Sequence, residues 1–387
     1  MTSFKKGLSV ILDIGSGSVG GAVVLSSPKI SKPKILYTFR TPIVLAKNLN
    51  FERFSSVMLA ALKDVLVKIE QNKAGAPENI FCFLASPWTA SQTRTIKLKK
   101  NSPFRFTKEL ARNFVEKEIR NFQNTHLKRF EQIGSKMRLL EKEYFQIKLN
   151  GYKTNNPLGK RSGDFEIDLF VSIAPEKILG LIEYQIRKFF NLPIHFHSFI
   201  FPSFLIIRDL FPKCSDYIFM DIAGEITDVS IVKNDILTES VSFPVGKSFL
   251  TATLAERLNK SSMEAGSILN LFLENKLEEK LVSKVNEILS EVKKTWLKSF
   301  DEALAKISGG LLPPSTIFVT VDPDVSKFFE QTIAAEEWGQ FALANNKFNV
   351  IIINNRILSS AISILEKAAL DPFLSLESIY TNKIKNI

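Results

Sequence analysis

Two glycine-bearing segments, about half the chain apart, constrain the fold of this sequence most. In each segment an apolar run ends in an aspartate, a turn of small residues follows, and a second apolar run begins. The first segment covers 10–24 and contains Asp13, and the second covers 217–232 and contains Asp221. Each pattern predicts a β-hairpin with an acid at the end of its first strand. Because the pattern occurs twice, we predict a duplicated architecture with a ligand between its halves.

The residue types in the two turns are suited to a phosphate ligand. Glycine lets backbone N–H groups approach an anion, and hydroxyl groups can donate hydrogen bonds to phosphate oxygens. Asp13 and Asp221 would repel phosphate unless a cation lay between, and Mg²⁺ bound through these carboxylates and water would meet that need. The alternative is a pair of edge hairpins with acidic turn residues. The predicted phosphate-binding residues are Gly15, Ser16, Ser18, Gly224 and Thr227.

These segments resemble the phosphate motifs of the actin-like ATPase superfamily, and in particular those of its FtsA-type and PilM-type members. The stretch 242–251 is similar to the turn that leads into a helix in that family, and it contains Gly246. The stretch 149–160 is similar to a segment of the inserted SHS2-type subdomain that FtsA-type proteins carry. The resemblance covers about Leu8 to Pro372. It implies an α/β, actin-like (ribonuclease H-like) duplicated fold with a small inserted α+β subdomain.

The insert is predicted at 86–180, between a first part of the first half at 1–85 and the rest of the chain at 181–387. The net charge of +11 falls largely between Arg94 and Lys160, in the insert. Since no nucleic-acid motif accompanies this charge, we predict a solvated or protein-binding surface and no nucleic acid. The two cysteines have neither metal nor disulfide spacing, which fits a reducing cytoplasm. No apolar run reaches membrane-spanning length.

The last third of the chain is predicted as two helical regions around two strands. Apolar periodicity predicts helix from about Met263 to Ile307 and a last helix from Arg356 to Ala369, and strands are predicted at 316–320 and 349–353. The remaining stretch, 374–385, is expected to be a short basic tail. Such a tail buries too little apolar surface to bind a membrane by itself. We therefore predict a cytoplasmic protein that reaches the inner face of the membrane only through partners.

The sequence departs from the family where the nucleoside should bind. The resemblance assigns Glu264 to that pocket, but Ser261 and Glu264 equally fit a capping box at a helix start. The family also places glycines after the strand at 317–320, where this chain has Val321, Asp322 and Pro323. Valine adds bulk, proline lacks an N–H donor, and the carboxylate opposes an anion. These changes make ATP and Mg²⁺ doubtful ligands.

The resemblance implies a cytoplasmic adaptor that binds ATP and links a cell-division or pilus-assembly machine to membrane partners. Self-association into filaments is part of that expectation. One alternative is a pseudo-ATPase scaffold without nucleotide, and another is a working ATPase or sugar kinase of the same fold. The segment 198–203 offers no acid or amide to orient an attacking water, so no catalytic residue is predicted and any ATPase activity would be weak.

Overall fold

The computed structural model describes residues 7–27, 30–43, 51–72, 75–127, 130, 134, 136–309, 312–335 and 347–385. These residues form three β-sheets of six, five and four strands, with helices packed against them. The six-stranded and five-stranded sheets belong to the two halves of the chain, and the four-stranded sheet belongs to the insert. This arrangement confirms the predicted α/β class and the duplicated halves.

The first half is built on the first glycine hairpin. All seven residues of its first strand are buried, as expected for a strand covered on both faces of its sheet. The strand order in this sheet is β15-β3-β2-β1-β4-β9, and β1 pairs antiparallel with β2 and parallel with β4. Its early elements are β1 (Leu8–Ile14), β2 (Ser18–Leu25), β3 (Lys34–Pro42), α1 (Phe51–Gln71) and β4 (Asn79–Leu84).

The insert is a separate antiparallel sheet with one long helix. Its strand order is β5-β8-β6-β7, and α3 then packs against α1 before the chain rejoins the first sheet at β9. The insert's sheet therefore ends at Pro175, before α3. Its elements and the two that follow are β5 (Ala90–Arg105), α2 (Lys108–Leu127), β6 (Met137–Leu149), β7 (Tyr152–Lys153), β8 (Arg161–Pro175), α3 (Glu176–Arg187) and β9 (Ile194–Ser198).

The second half repeats the hairpin and its parallel neighbour. Strand β10 pairs antiparallel with β11 and parallel with β13, as β1 does with β2 and β4. The helix predicted from Met263 to Ile307 is two helices, because Asn275 adopts a left-handed φ of 56° between them. The elements are α4 (Ile200–Leu210), β10 (Tyr217–Ile222), β11 (Thr227–Lys233), β12 (Ile236–Phe243), α5 (Lys247–Leu258), α6 (Ser262–Leu273), α7 (Glu279–Ser308), β13 (Thr316–Val321), α8 (Ser326–Ala335) and β14 (Asn349–Ile352).

The prediction for the C-terminal region is wrong. In place of one helix over 356–369, the structure has a short helix α9 (Asn355–Leu358) and a strand β15 (Ser363–Ile364) that pairs with β3. The last helix is α10 (Pro372–Ile384), where the sequence pattern predicts a tail. Asp371 caps α10 by accepting from the Leu374 N–H at 3.1 Å, and Pro372 suits the first helical position.

Helix α10 lies in the core and not at the surface. Ten of its thirteen residues are buried, and it packs against β1 and α4. One apolar cluster contains side chains from both halves together with α10, including Ile11, Phe219 and Leu374. The C-terminal helix therefore joins the two halves through a shared core.

Candidate functional site

The two glycine turns meet in space, as the sequence predicts, but they touch each other directly. A Cβ atom added to Gly224 would lie 2.3 Å from the Cα of Gly17, so only glycines allow this approach. The Glu225 N–H of the second turn donates to the Ser16 Oγ of the first at 3.0 Å. The cavity that remains between the turns has a volume of about 30 Å³, which is room for about one water.

The side chain of Arg40, from β3, occupies the position predicted for a metal ion beside Asp13. Its Nη2 lies 2.7 Å from Asp13 Oδ2, and its Nε lies 2.6 Å from Asp371 Oδ2 at the start of α10. Its Nη1 donates to Ser18 Oγ at 2.8 Å. Arg40 therefore supplies a permanent positive charge to the first turn and ties that turn to the C-terminal helix.

Sequence reasoning missed Arg40, although a signal was present. Gly20 stands directly opposite Arg40 in the β2–β3 pairing. A Cβ atom on Gly20 would lie 2.7 Å from the Arg40 Nη2, so glycine at this position leaves room for the guanidinium group. In the sequence, Gly20-Gly21 indicates no more than part of a hairpin, whereas in the fold Gly20 leaves room for a half-buried cation.

Several carboxyl groups share this one guanidinium. Burial raises the pKa of Asp13, and Asp371 adds to the shift while Arg40 opposes it. Burial also raises the pKa of Glu377, on α10, well above its usual range, and the nearby Asp13 acts in the same direction. A side-chain hydrogen bond between Glu377 and Asp13 also raises the pKa of Glu377. The cluster thus holds more acid than one arginine can neutralise, which favours protonated carboxyls within it.

Asp221, the acid of the second hairpin, is buried and makes no ion pair within the described part of the chain. Burial raises its pKa well above the usual range, and Asp228 adds to the shift. Its Oδ1 accepts a hydrogen bond from Thr320 at 2.7 Å. Asp13 and Asp221 both border the small cavity, and the Arg40 side chain, which is bound to Asp13, lines it as well.

The N-terminus of α5, which follows Gly246, is another potential phosphate site that the protein itself fills. The Lys247 N–H donates to the Ala223 carbonyl at 2.9 Å, and the Ser248 N–H donates to the Gly224 carbonyl at 2.7 Å. A Cβ atom on Gly246 would lie 2.4 Å from the Ala223 oxygen. Donors that could bind an anion are therefore used to hold the second turn.

The segment that replaces the family's glycines has its own counter-ion. Lys247 Nζ lies 3.0 Å from a carboxyl oxygen of Asp322 and 2.7 Å from one of Asp324. The two ion pairs fix the segment around Pro323 against the start of α5. Both carboxylates thus pair with the Lys247 ammonium group, whose single charge offsets one of their two negative charges.

Two of the predicted nucleotide-binding residues, Thr227 and Glu264, do not line the cavity between the turns. Thr227 is fully buried, donates to the Val245 carbonyl at 2.7 Å and accepts from the Trp296 indole at 3.3 Å. Glu264 forms the capping box of α6, and hydrogen bonds from the backbone and side chain of Ser261 lower its pKa to about 2. The residues that the structure does gather around the small cavity are Asp13, Gly15, Ser16, Ser18, Asp221 and Gly224.

A second cavity, of about 540 Å³, lies between the start of the insert and the second half. Of the predicted site residues in the described chain, Asp221 borders this cavity, and the second turn reaches it through Ile226 and not through its glycine. Asp228 and Glu239 also line it, opposed by Lys306. Three carboxyl groups around one cavity are unfavourable surroundings for a triphosphate.

These residues do not fit ATP and Mg²⁺ in the observed arrangement. The space between the turns is too small for phosphate groups, the helix donors are occupied, and Arg40 replaces the cation. The turn glycines, which first suggested phosphate, are explained by close contacts within the protein.

The close contact between Gly17 and Gly224 predicts that one added methyl group lowers the stability of the protein. Replacing Gly224 by alanine places a Cβ against backbone atoms of Gly17 that have no rotamer to adopt, so we expect a loss of about 1–3 kcal/mol in the free energy of unfolding. Gly180, inside α3, has no atom within 4 Å of an added Cβ, and its replacement by alanine should stabilise the chain by about 0.5–1 kcal/mol. Urea denaturation of both variants measures the difference, and equal stabilities would contradict the observed contact.

No protein-family model matches the chain, and no curated protein matches it either. A solved structure described as the PilM-PilN type IV pilus biogenesis complex matches with a TM-score of 0.63 and 12% identity, over 98% of each chain. EutJ from Carboxydothermus hydrogenoformans matches with a TM-score of 0.43 and 11% identity, over 97% of this chain and 89% of that one. The likeness to the first of these structures, over nearly the whole of both chains, shows that this chain shares its actin-like fold.

None of the helices in the described ranges is long and apolar enough to cross a membrane.

Proposed function

We propose that this chain is a PilM-like scaffold that binds a protein partner in a pilus-assembly machine and does not require ATP. The observation that carries the proposal is the closed contact between the two glycine turns, with Arg40 bound to Asp13 and Asp371. The protein supplies from its own residues the cation and the hydrogen-bond donors that a nucleotide site would need. The fold can thus hold its two halves together without a ligand.

A groove beside the insert is suited to a partner's peptide segment. It has a volume of about 620 Å³ and lies between β9, the edge strand of the first sheet, and the start of β6. An edge strand can pair with an added extended segment, and apolar side chains around it can select the partner's residues. The residues that line this groove include Phe81, Leu139, Leu140, Ile194, Phe196 and His195, with Arg138 and Glu183 as charged neighbours.

Co-expression with a PilN-type partner protein tests this proposal. We expect the two purified proteins to co-elute in size-exclusion chromatography, equally with and without Mg-ATP. His195→Glu, which puts an acid on the exposed side of the groove, should abolish co-elution. The matched variant Lys153→Glu, on the far end of the insert, should leave the complex intact. A complex that forms only with Mg-ATP, or one that His195→Glu does not weaken, would overturn the corresponding part of the proposal.

The role in cell division that the FtsA resemblance implies remains an alternative, as does self-association into filaments. A division role would require the chain to bind division proteins in place of a pilus partner. Filament formation would require it to assemble with copies of itself. Sedimentation of the purified chain with and without ATP distinguishes the cases. Nucleotide-dependent filaments would favour the adaptor of the FtsA type over the scaffold.

A further inference from the structure

The end of the insert's sheet that lies away from the first half carries an unusual set of side chains. This distal tip consists of residues 99–105 and 150–163, where β5 ends, β6 turns into β7, and β8 begins. Six cationic side chains are exposed there, with Glu109 and Asp164 as the acids that flank the tip in sequence. The six cations are Lys99, Lys100, Arg105, Lys153, Lys160 and Arg161.

The tip is a fixed platform and not a loose loop. The Arg105 Nε donates to the Gly159 carbonyl at 3.1 Å, and the Phe106 N–H donates to the Lys160 carbonyl at 2.8 Å. The side chain of Asn150 accepts from the Gly163 N–H at 2.9 Å, which closes the turn beside β7. Below these turns, rings of Phe104, Phe106 and Phe114 pack around Phe165.

The charge arrangement is unfavourable for the isolated protein. Arg105 stands directly opposite Arg161 in the β5–β8 pairing, and like charges in this position destabilise a sheet. Across the described ranges, Lys153 and Arg161 make no ion pair, whereas Lys97 and Lys148, nearer the body of the protein, both bind Glu166. Lys99 stands opposite Asp164 in the β5–β8 pairing, so the repulsion is concentrated at Arg105 and Arg161. An external anion would remove the repulsion that the fold leaves in place.

Two exposed apolar side chains lie among these cations. Tyr152 is 80% exposed and Leu158 is 61% exposed. A tyrosine ring with a polar end is suited to the boundary between lipid headgroups and acyl chains, and a leucine there buries apolar surface. A strand-binding surface for nucleic acid would instead need several rings on which successive bases stack, and Tyr152 is the one highly exposed ring among the described tip residues.

We infer that the distal tip binds the surface of an anionic lipid bilayer directly. The cations attract the acidic headgroups, and Tyr152 and Leu158 enter the interface. This contact is separate from the groove at β9 and from the glycine turns, so it does not depend on either being functional. It would orient a scaffold of this fold at a membrane while its groove holds a partner.

Vesicle co-sedimentation of the full-length protein tests the inference. We expect binding to vesicles of phosphatidylcholine with about 30% phosphatidylglycerol, little binding to pure phosphatidylcholine, and loss of binding near 1 M salt, where the Debye length falls to about 3 Å. Each basic residue near an anionic surface contributes about 1 kcal/mol, or about fivefold. The double variant Lys153→Gln, Arg161→Gln should therefore bind about 25-fold more weakly.

Three controls make the result decisive. Lys276→Gln with Lys280→Gln removes the same charge from an exposed site in the second half and should change binding by less than about twofold. Tyr152→Ser with Leu158→Ser keeps the charge and should weaken binding about tenfold through lost apolar contact. Unchanged thermal melts show that the variants remain folded.

Equal binding to neutral and anionic vesicles, or equal losses in the tip and control pairs, would overturn the inference. So would tight binding to single-stranded DNA that depends on the cations and is unaffected by loss of Leu158.

Discussion

Replacing Arg40 by alanine is expected to lower the free energy of unfolding by about 3–5 kcal/mol. The reason is that Asp13 and Asp371 would remain buried without the cation that each of them contacts within 2.7 Å. A typical domain has a total stability of about 5–15 kcal/mol, so the variant should be marginally folded at 25 °C. Urea denaturation, followed by tryptophan fluorescence, measures the change.

The loss should grow with pH. Burial raises the pKa of Asp13 and Arg40 opposes that rise, so removing Arg40 raises the pKa further. A carboxyl whose pKa is higher in the folded state favours folding when protonated, and that contribution is lost as pH rises through the folded-state pKa. The difference between wild type and Arg40→Ala should therefore be smaller at pH 5 than at pH 8.

An exposed ion pair provides the control for Arg40. Arg257 lies 2.9 Å from Glu291, and their side chains are 46% and 56% exposed. Replacing Arg257 by alanine should cost less than about 1 kcal/mol, because solvent screens such a pair. If Arg40→Ala were as mild as Arg257→Ala, the ion pairs of Arg40 would not hold the first glycine turn to the C-terminal helix.

Replacing Leu374 by alanine is expected to cost about 2–5 kcal/mol, because it opens a cavity where α10 meets the core shared by both halves. Leu374 is fully buried, whereas Leu370, four residues earlier, is 65% exposed. Leu370→Ala should therefore change stability by no more than about 0.5 kcal/mol. The same denaturation experiment compares the two leucines. Equal effects would mean that the C-terminal residues do not form a core helix.

The hairpins and the insert could be predicted from the sequence because local patterns specify them. Apolar runs such as the one before Asp13 are buried on both faces, and the helix at 51–71 shows regular apolar spacing. The repeated hairpin pattern indicated the duplication, and the family resemblance then indicated the class of fold. The local patterns and the resemblance were thus sufficient to predict the fold. They did not predict that the two glycine turns would be in direct contact.

Helix α10 could not be recognised from its pattern because it is buried around most of its circumference. Its hydroxyl-bearing residues look exposed in sequence, yet Ser375, Ser378 and Thr381 each donate to the carbonyl four residues earlier. This backbone bonding lets polar side chains lie in a core. A helix that is buried on several sides lacks the clear polar face that reveals an amphipathic helix.

The cation at the candidate site could not be predicted because its partners are distant in the chain. Arg40 contacts Asp13 within its own hairpin sheet, but Asp371 lies 331 residues further along. Only the fold brings α10 back to β3. The sequence pattern does indicate the two glycine turns, and whether a nucleotide binds to them stays a prediction for experiment.

Calorimetric titration of the purified full-length chain with ATP, in the presence and absence of Mg²⁺, tests most directly whether the chain works without nucleotide. The closed turns, the ion pair of Arg40 and the occupied donors at α5 predict no heat of binding at millimolar ATP. Magnesium-dependent binding in the micromolar range, about −8 kcal/mol, would contradict a nucleotide-free scaffold. It would mean that the turns open, Arg40 leaves Asp13, and the chain is a nucleotide-gated adaptor.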